Sequence, residues 1–289
     1  KDVDENEKVV IFKEFEKVFE EIKNLCAFKK ISLVQYIDEI EGKDVNSYME
    51  EIYKTMCASV ENGLKNTGVL PGKLQVKRKA SYIFKQKTQE QNEVDLLRKR
   101  VLAYAYAVAE ENASGGTIVT APTCGAAGVL PACLYYALEL KKYTHQEIID
   151  ALKVAGLIGN IVKTNGSISG AEAGCQAEVG TACAMSAAFL TYLDYKDAKM
   201  VERASEIALE HHLGLTCDPI DGYVQIPCIE RNAVAALRAI DAQKLASYIN
   251  SSDSKISFDL IVETMLATGH DLQASYRETS EGGLAQKYH

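Results

Sequence analysis

The 289-residue chain contains no paired C-x-x-C knuckles and no C-x-x-C-x-x-C run, although it holds eight cysteines. A zinc ribbon needs the first and a ferredoxin the second, so both are excluded. No charged leader followed by an apolar stretch opens it, and no run is apolar throughout the ~20 residues of a membrane span: residues 179–193 are too short, and the longer uncharged run 112–138 is interrupted by glycine, proline and polar residues. Without a leader to an oxidising compartment, the cysteines are expected to be reduced thiols and metal ligands in a cytoplasmic protein, not a disulfide framework. A glycine-rich phosphate loop paired with a Schiff-base lysine in an α/β pattern is also missing, which argues against pyridoxal phosphate. Alternating strands, βαβ spacing, internal repeats and low-complexity tracts are absent. Positive charge is scarce: 32 Lys and Arg against 40 Asp and Glu give a net charge of −8. Such a field repels phosphate backbones and anionic headgroups, so neither nucleic acid nor a membrane is an expected partner, and a small metabolite is.

What is present is helical periodicity almost throughout, which predicts an all-α protein. Ile11, Phe15, Val18, Ile22 and Leu25 form one apolar stripe, and Val45, Tyr48, Ile52, Met56, Val60 and Leu64 form another. Cys26 and Cys57 lie on or beside these stripes as small core hydrophobes. Pro71, Gly72 and the basic run at 77–79 mark a loop, with the three charges read as a solvated turn. A helix from Gln91 ends in NASGG at 112–116. Thr144 and Glu147 make a T-x-x-E capping box that starts a helix at His145, itself expected to be idle. The alanine-rich stretch after Cys175 has small residues on most faces, which suits a central helix. The length allows one or two domains of ~150 residues. The reading here is one helical domain over 1–289, with an N-terminal part, 1–80, packed on 81–289.

Residues 159–183, GNIVKTNGSISGAEAGCQAEVGTAC, crowd small residues, hydroxyls, one lysine and two cysteines without a long apolar break. Thr164, Asn165, Ser167 and Ser169 offer short polar groups, while Gly166 and Gly170 let the backbone come close to a ligand. Composition alone fits a solvated loop equally well. Cys217 in LTCDPIDG and Cys228 in VQIPCIERN extend Cys175 into the pattern C-x41-C-x10-C. Three thiolates would leave one coordination position of a metal free for substrate, as Lewis-acid catalysis requires.

The blocks TAPTCGAAGVLPA, IVKTNGSISGAEAGCQAEVGTAC, HHLGLTCDPIDGYVQIPCIERNAV and YRETSEGGLA resemble the alpha chain of iron-sulfur-dependent L-serine dehydratase. They run in order from Thr120 to Ala285, whereas the first ninety residues match only loosely. The resemblance implies the multi-helix fold of that alpha chain and a [4Fe-4S] cluster on Cys175, Cys217 and Cys228. It also implies L-serine as substrate, dehydrated to aminoacrylate and on to pyruvate and ammonia. Lys163 and His211 are the candidate catalytic residues, and Thr123, Cys124, Asn165, Ser167 and Ser169 the candidate substrate-binding ones. Cys124 rivals the three later cysteines as a ligand, and Cys183, two turns beyond Cys175, is a weaker rival. Pro227 at a helix start would place Cys228 in a first turn, where the macrodipole favours a thiolate. Relatives of this kind carry a beta domain or chain with a Ser/His-rich loop that is missing here, so a beta chain is an expected partner and an oligomer is expected. Many also end in a cysteine-bearing tail, whereas this sequence ends KYH. The same iron could instead hold the thiol of L-cysteine in a desulfidase, or the chain could be a metal-bearing regulatory module.

Overall fold

The structure is a computed structural model describing residues 18–42, 44–87, 92–249 and 254–288. Ile11 and Phe15 of the first expected stripe lie outside them. Among the described residues there are thirteen α-helices and no strand, only two isolated bridges.

The N-terminal part is three helices where two stripes were read: α1 (Phe19–Lys29), α2 (Leu33–Glu41) and α3 (Asp44–Lys65). The extra break follows from local chemistry. Lys30 takes a left-handed conformation after α1, and Ser32 with Gln35 forms a reciprocal capping box that restarts the helix. α4 (Ala80–Lys85) and α5 (Glu93–Ala113) follow, with Gly115 in a left-handed conformation closing α5. Of the basic run before α4, Lys77 and Lys79 are exposed as expected, but Arg78 is not. Arg78 reaches Glu111 Oε1 at 2.8 Å and Ser114 Oγ at 2.7 Å, with about nine tenths of both charged side chains covered.

α6 (Val129–Leu140) leads to α7 (His145–Asn165), whose start carries the expected Thr144–Glu147 box. His145 is not idle: its ring hydrogen-bonds Glu50 at 2.5 Å and stands edge-on to Tyr53, tying α7 to α3. The short α8 (Gly170–Ala173) and a π-turn over Gln176–Gly180 precede α9 (Thr181–Tyr195). Every residue of α9 from Thr181 to Leu193 is buried, because α7, α10 (Ala198–Glu210), α11 (Cys228–Tyr248) and α6 surround it. Small side chains allow that close approach; the thiols of Cys133 and Cys183 sit 3.6 and 3.3 Å from the α11 carbonyls of Ala236 and Ala235. Both are core thiols, and Cys26 is buried as well. α12 (Phe258–Asp271) and α13 (Gly283–Lys287) complete the chain.

No described helix is long and apolar enough to cross a membrane.

Candidate metal centre

The polar stretch at 159–183 folds as the end of α7, a loop, α8 and the π-turn, and the bends fix where Cys175 points. Gly174 adopts φ +74°, and a Cβ there would press on the Leu215 carbonyl oxygen at 2.8 Å. Gln176, fully buried, cross-links the surroundings: its amide donates to the carbonyls of Ala173 and Met265, and its Oε1 accepts from Gly214 N at 2.9 Å. Gln176 N in turn donates to Leu215 O. These bonds bring the 214–217 loop against the π-turn, a helical irregularity frequent at functional sites.

Cys175 and Cys217 thereby meet across 41 residues of sequence. Both are buried, at 3% and 4% exposure, and the Cys217 thiol hydrogen-bonds the Cys175 sulfur. That bond, with Arg231 alongside, holds the Cys175 thiol below its ordinary range, whereas Cys217, as the donor and buried, is pushed well up. Glu178 joins them, one helical turn after Cys175: its Oε2 lies 3.7 Å from Cys217 Sγ, and the ligand atoms of Cys175, Glu178 and Cys217 all fall within 4.8 Å of one another. Burial raises the Glu178 carboxyl above its usual range, partly offset by the hydrogen bond that Thr123 Oγ1 donates to its Oε1 at 2.8 Å. Glycines leave room for it. A Cβ on Gly170 would stand 2.6 Å from Glu178 Oε2 and 3.1 Å from Cys217 Sγ.

Cys228 is the first residue of α11, with Pro227 as its N-cap. It feels the charge of Cys175, Glu178 and Arg231 but stands outside the 4.8 Å group. Its thiol does not show the lowering expected of a helix start; burial pushes it up to about 12, against which its own backbone hydrogen bond is a small counterweight. The same turn of α11 places Arg231 and Asn232 on the Cys228 face. Arg231 donates to Thr216 O at 2.5 Å and lies 3.7 Å from Asp218. Asn232, 1% exposed, accepts from Gly128 N at 2.8 Å and donates to Gly125 O at 2.7 Å and Cys228 O at 2.8 Å. The Gly128 amide at the start of α6 is therefore already occupied.

The C-terminal segment closes over the Cys217 loop. Cys217 N donates to Tyr276 O, and Cys217 O accepts from Glu278 N at 2.6 Å. Asp218 Oδ2 accepts from Leu284 N, and Ser280 Oγ donates to Pro219 O.

The remaining candidates are dispersed around this centre. Thr123 bonds Glu178 as described; Cys124, next to it, is exposed, and its carbonyl accepts from Asn112. Ser167 is buried and donates to Glu172 Oε2 at 2.6 Å while accepting from Ser169 N, so its hydroxyl shapes the loop. Ser169 caps α8 by position without a side-chain bond, and Asn165 is half-buried at the end of α7. Lys163 lines a cavity of about 280 Å³ whose wall is chiefly apolar, including Met49, Ile52, Leu130 and Met185. Residues 120–122 and Ile168 reach the same cavity. His211 is mostly exposed, its Nδ1 bonded to Ile207 O at 2.7 Å. Its neighbour His212 is the buried one, packed against Gly180 of the π-turn. Glu178 is the centre's main addition to the residues singled out from the sequence. A carboxylate three residues after a cysteine was the available signal for Glu178.

The sequence is similar to known proteins over most of its length. An L-serine dehydratase of Haemophilus influenzae is 46% identical over 264 residues, covering 89% of this chain and 58% of that protein. L-serine dehydratase 2 of Escherichia coli K12 is 45% identical over 249 residues, covering 85% and 54%, and an L-serine dehydratase of Helicobacter pylori 26695 is 44% identical over 276 residues, covering 92% and 60%. The chain thus spans a little over half the length of the curated relatives it matches. The buried cysteines, the all-helical fold and a match from residue 2 to residue 285 to the family model described as serine dehydratase alpha chain lead to one conclusion: the chain belongs to that family.

Proposed function

We propose that this chain is the cluster-bearing part of an L-serine ammonia-lyase that converts L-serine to aminoacrylate, which hydrolyses to pyruvate and ammonia. The observation that carries the reading is the meeting of Cys175 and Cys217 with Arg231 and the start of α11, on which Cys228 sits. The donor set fits an iron-sulfur group: three buried thiols, with an arginine beside Cys175 to balance the charge of thiolates. Cys175, Cys217 and Cys228 would hold a [4Fe-4S] cluster, which supplies the Lewis acidity that makes hydroxide a feasible leaving group.

The chain's own residues would supply the rest. Among the described residues Lys163 is the single cation lining the neighbouring cavity, which favours it over His211 as the residue that contacts the substrate carboxylate or moves a proton. Thr123 steadies Glu178, whose carboxyl burial raises above its usual range, so that it is a further group able to take part in proton transfer. Asn165 and Ser169 at the ends of α7 and the following loop, with Thr123 and Cys124, would hold the amino acid's carboxylate and ammonium; Ser167 would act by shaping that loop. Residues 1–289 serve as one helical domain in this reading, located in the reducing cytoplasm. Because the relatives are longer, a beta chain is proposed to complete the substrate pocket.

A Mössbauer spectrum of anaerobically reconstituted protein with its beta chain, before and after L-serine, tests the proposal. A four-iron cluster with one site shifted by L-serine is expected. A cluster unmoved by L-serine would refute the substrate, and failure to assemble any cluster would refute the mechanism.

A further inference from the structure

Glu178 is not a member of the three-cysteine set, yet its carboxylate, and not the Cys228 thiol, completes the group whose ligand atoms all lie within 4.8 Å of one another. The arrangement has the dimensions of a different site. A tetrahedral divalent ion with metal-sulfur bonds of about 2.3 Å and metal-oxygen bonds of about 2.0 Å holds its sulfur and oxygen ligands about 3.5 Å apart and two sulfurs about 3.8 Å apart. Cys217 Sγ and Glu178 Oε2 are 3.7 Å apart, and all three ligand atoms lie within 4.8 Å. Two thiolates and a carboxylate suit a borderline-soft ion such as zinc or ferrous iron.

The surroundings are those of a supported metal site. Thr123 Oγ1 bonds the distal carboxylate oxygen, which turns Oε2 toward Cys217, as outer-shell partners of metal ligands do. Gly170 and Gly125 flank the carboxylate, and a Cβ on Gly170 would stand too close to both Oε2 and Sγ. Arg231 sits beside Cys175 and offsets the net negative charge that two thiolates and a carboxylate leave around a divalent ion.

The geometry points to a mononuclear site on Cys175, Glu178 and Cys217 that binds a single divalent transition ion when no cluster is present, with Cys228 not a ligand. Binding releases the thiol protons: two Cys–SH and one carboxylate take up M²⁺ and give up two H⁺, with water in the fourth position. Since Cys175 and Cys217 belong to both ligand sets, the ion and an iron-sulfur cluster exclude one another. A zinc-loaded chain would therefore resist cluster insertion until the zinc is removed.

The test uses the full chain, stripped of metal by a chelator under anaerobic conditions and titrated with Co²⁺ or Zn²⁺ alone. One Co²⁺ per chain is expected, with thiolate-to-cobalt charge-transfer absorption and the intense visible bands of a tetrahedral ion, both abolished by an equivalent of Zn²⁺. X-ray absorption of the zinc form of the unmodified chain should show two sulfurs and lighter oxygen neighbours. C228S should bind as the unmodified chain does, C217S should lose the charge-transfer band, and E178Q should weaken binding at least ~10-fold, the lower end of what losing even an outer-shell partner does. Circular dichroism of each variant identifies any that fails to fold, and the absorption measurement needs no variant. A three-sulfur shell, loss of binding in C228S, unchanged affinity in E178Q, or no stoichiometric uptake would each overturn the inference. No iron is present, so the result is independent of whether the chain carries a cluster or acts on L-serine.

Discussion

Replacing Asn232 by alanine probes the joint between the Cys228 helix and the rest of the centre. The side chain is 1% exposed and satisfies two groups from elsewhere in the chain, the Gly128 N–H and the Gly125 carbonyl. Its third bond, to Cys228 O, runs to the carbonyl that the α11 ladder itself uses at i, i+4, so truncation orphans two groups rather than three. A buried backbone group left without a partner costs about 1–3 kcal/mol, which puts the expected loss near ~4 kcal/mol. At ~2 °C per kcal/mol for a chain of this size, the melting temperature should fall by ~8 °C. Denaturant titration followed by far-ultraviolet circular dichroism would give the free energy directly, with an unchanged slope showing that the unfolded reference is the same. Alkylation of Cys228 should also accelerate, because the start of α11 loses its anchor to the 125–128 turn. A loss below ~1 kcal/mol would refute the reasoning, since it would mean that water or a backbone shift supplies both partners.

Gly170→Ala should leave the fold intact but push the Glu178 carboxylate off Cys217, because the new Cβ would stand 2.6 Å from Oε2; little change in melting temperature with at least ~10-fold weaker Co²⁺ uptake is expected, and unaltered uptake would contradict it. Burial holds His212 at about 4, against an unfolded value of 6.5, so the unfolded chain binds a proton across that interval that the folded chain refuses. Its contribution is therefore complete above about pH 6.5 and lost as pH falls toward about 4, amounting to at most ~3 kcal/mol. Glu206, raised to about 7 by burial, slopes the opposite way over much of that range. The His212 share is thus read as the difference between the unmodified chain and His212→Gln, and a pH-independent difference would refute it.

Where local chemistry decides, the sequence was readable. The Thr144–Glu147 box, the NASGG stop and the small residues of α9 each act within a few residues of themselves, and each is found where periodicity puts it. What escaped depends on partners far along the chain. Arg78 lies in a run of three basic residues that looks solvated until Glu111, 33 positions later, is folded against it. Between His211 and His212, only the phase of α10 decides which ring turns inward, and it selects the second. Glu178 has the same problem at greater distance: a carboxylate one turn after Cys175 looks like any helix surface until Thr123 and Cys217 arrive from 55 residues before it and 39 after. The cysteine spacing and the sequence blocks made Cys175 and Cys217 legible, but not that a carboxylate, and not Cys228, would join them within 4.8 Å.

The clasp between the Cys217 loop and residues 276–284 has a consequence for the order of events in the cell. Cys217 is held on both its amide and its carbonyl by Tyr276 and Glu278, and Asp218 by Leu284. While the chain is still emerging from the ribosome, Cys175 and the π-turn are made first, and the loop carrying Cys217, which bonds Gln176 through Gly214 and Leu215, gains its bonds on both sides of Cys217 only when some 60 more residues have been added. The facing of the two sulfurs is therefore completed by a segment far from either in sequence. An ion that needs both sulfurs is expected to meet a largely folded chain rather than the nascent Cys175 segment.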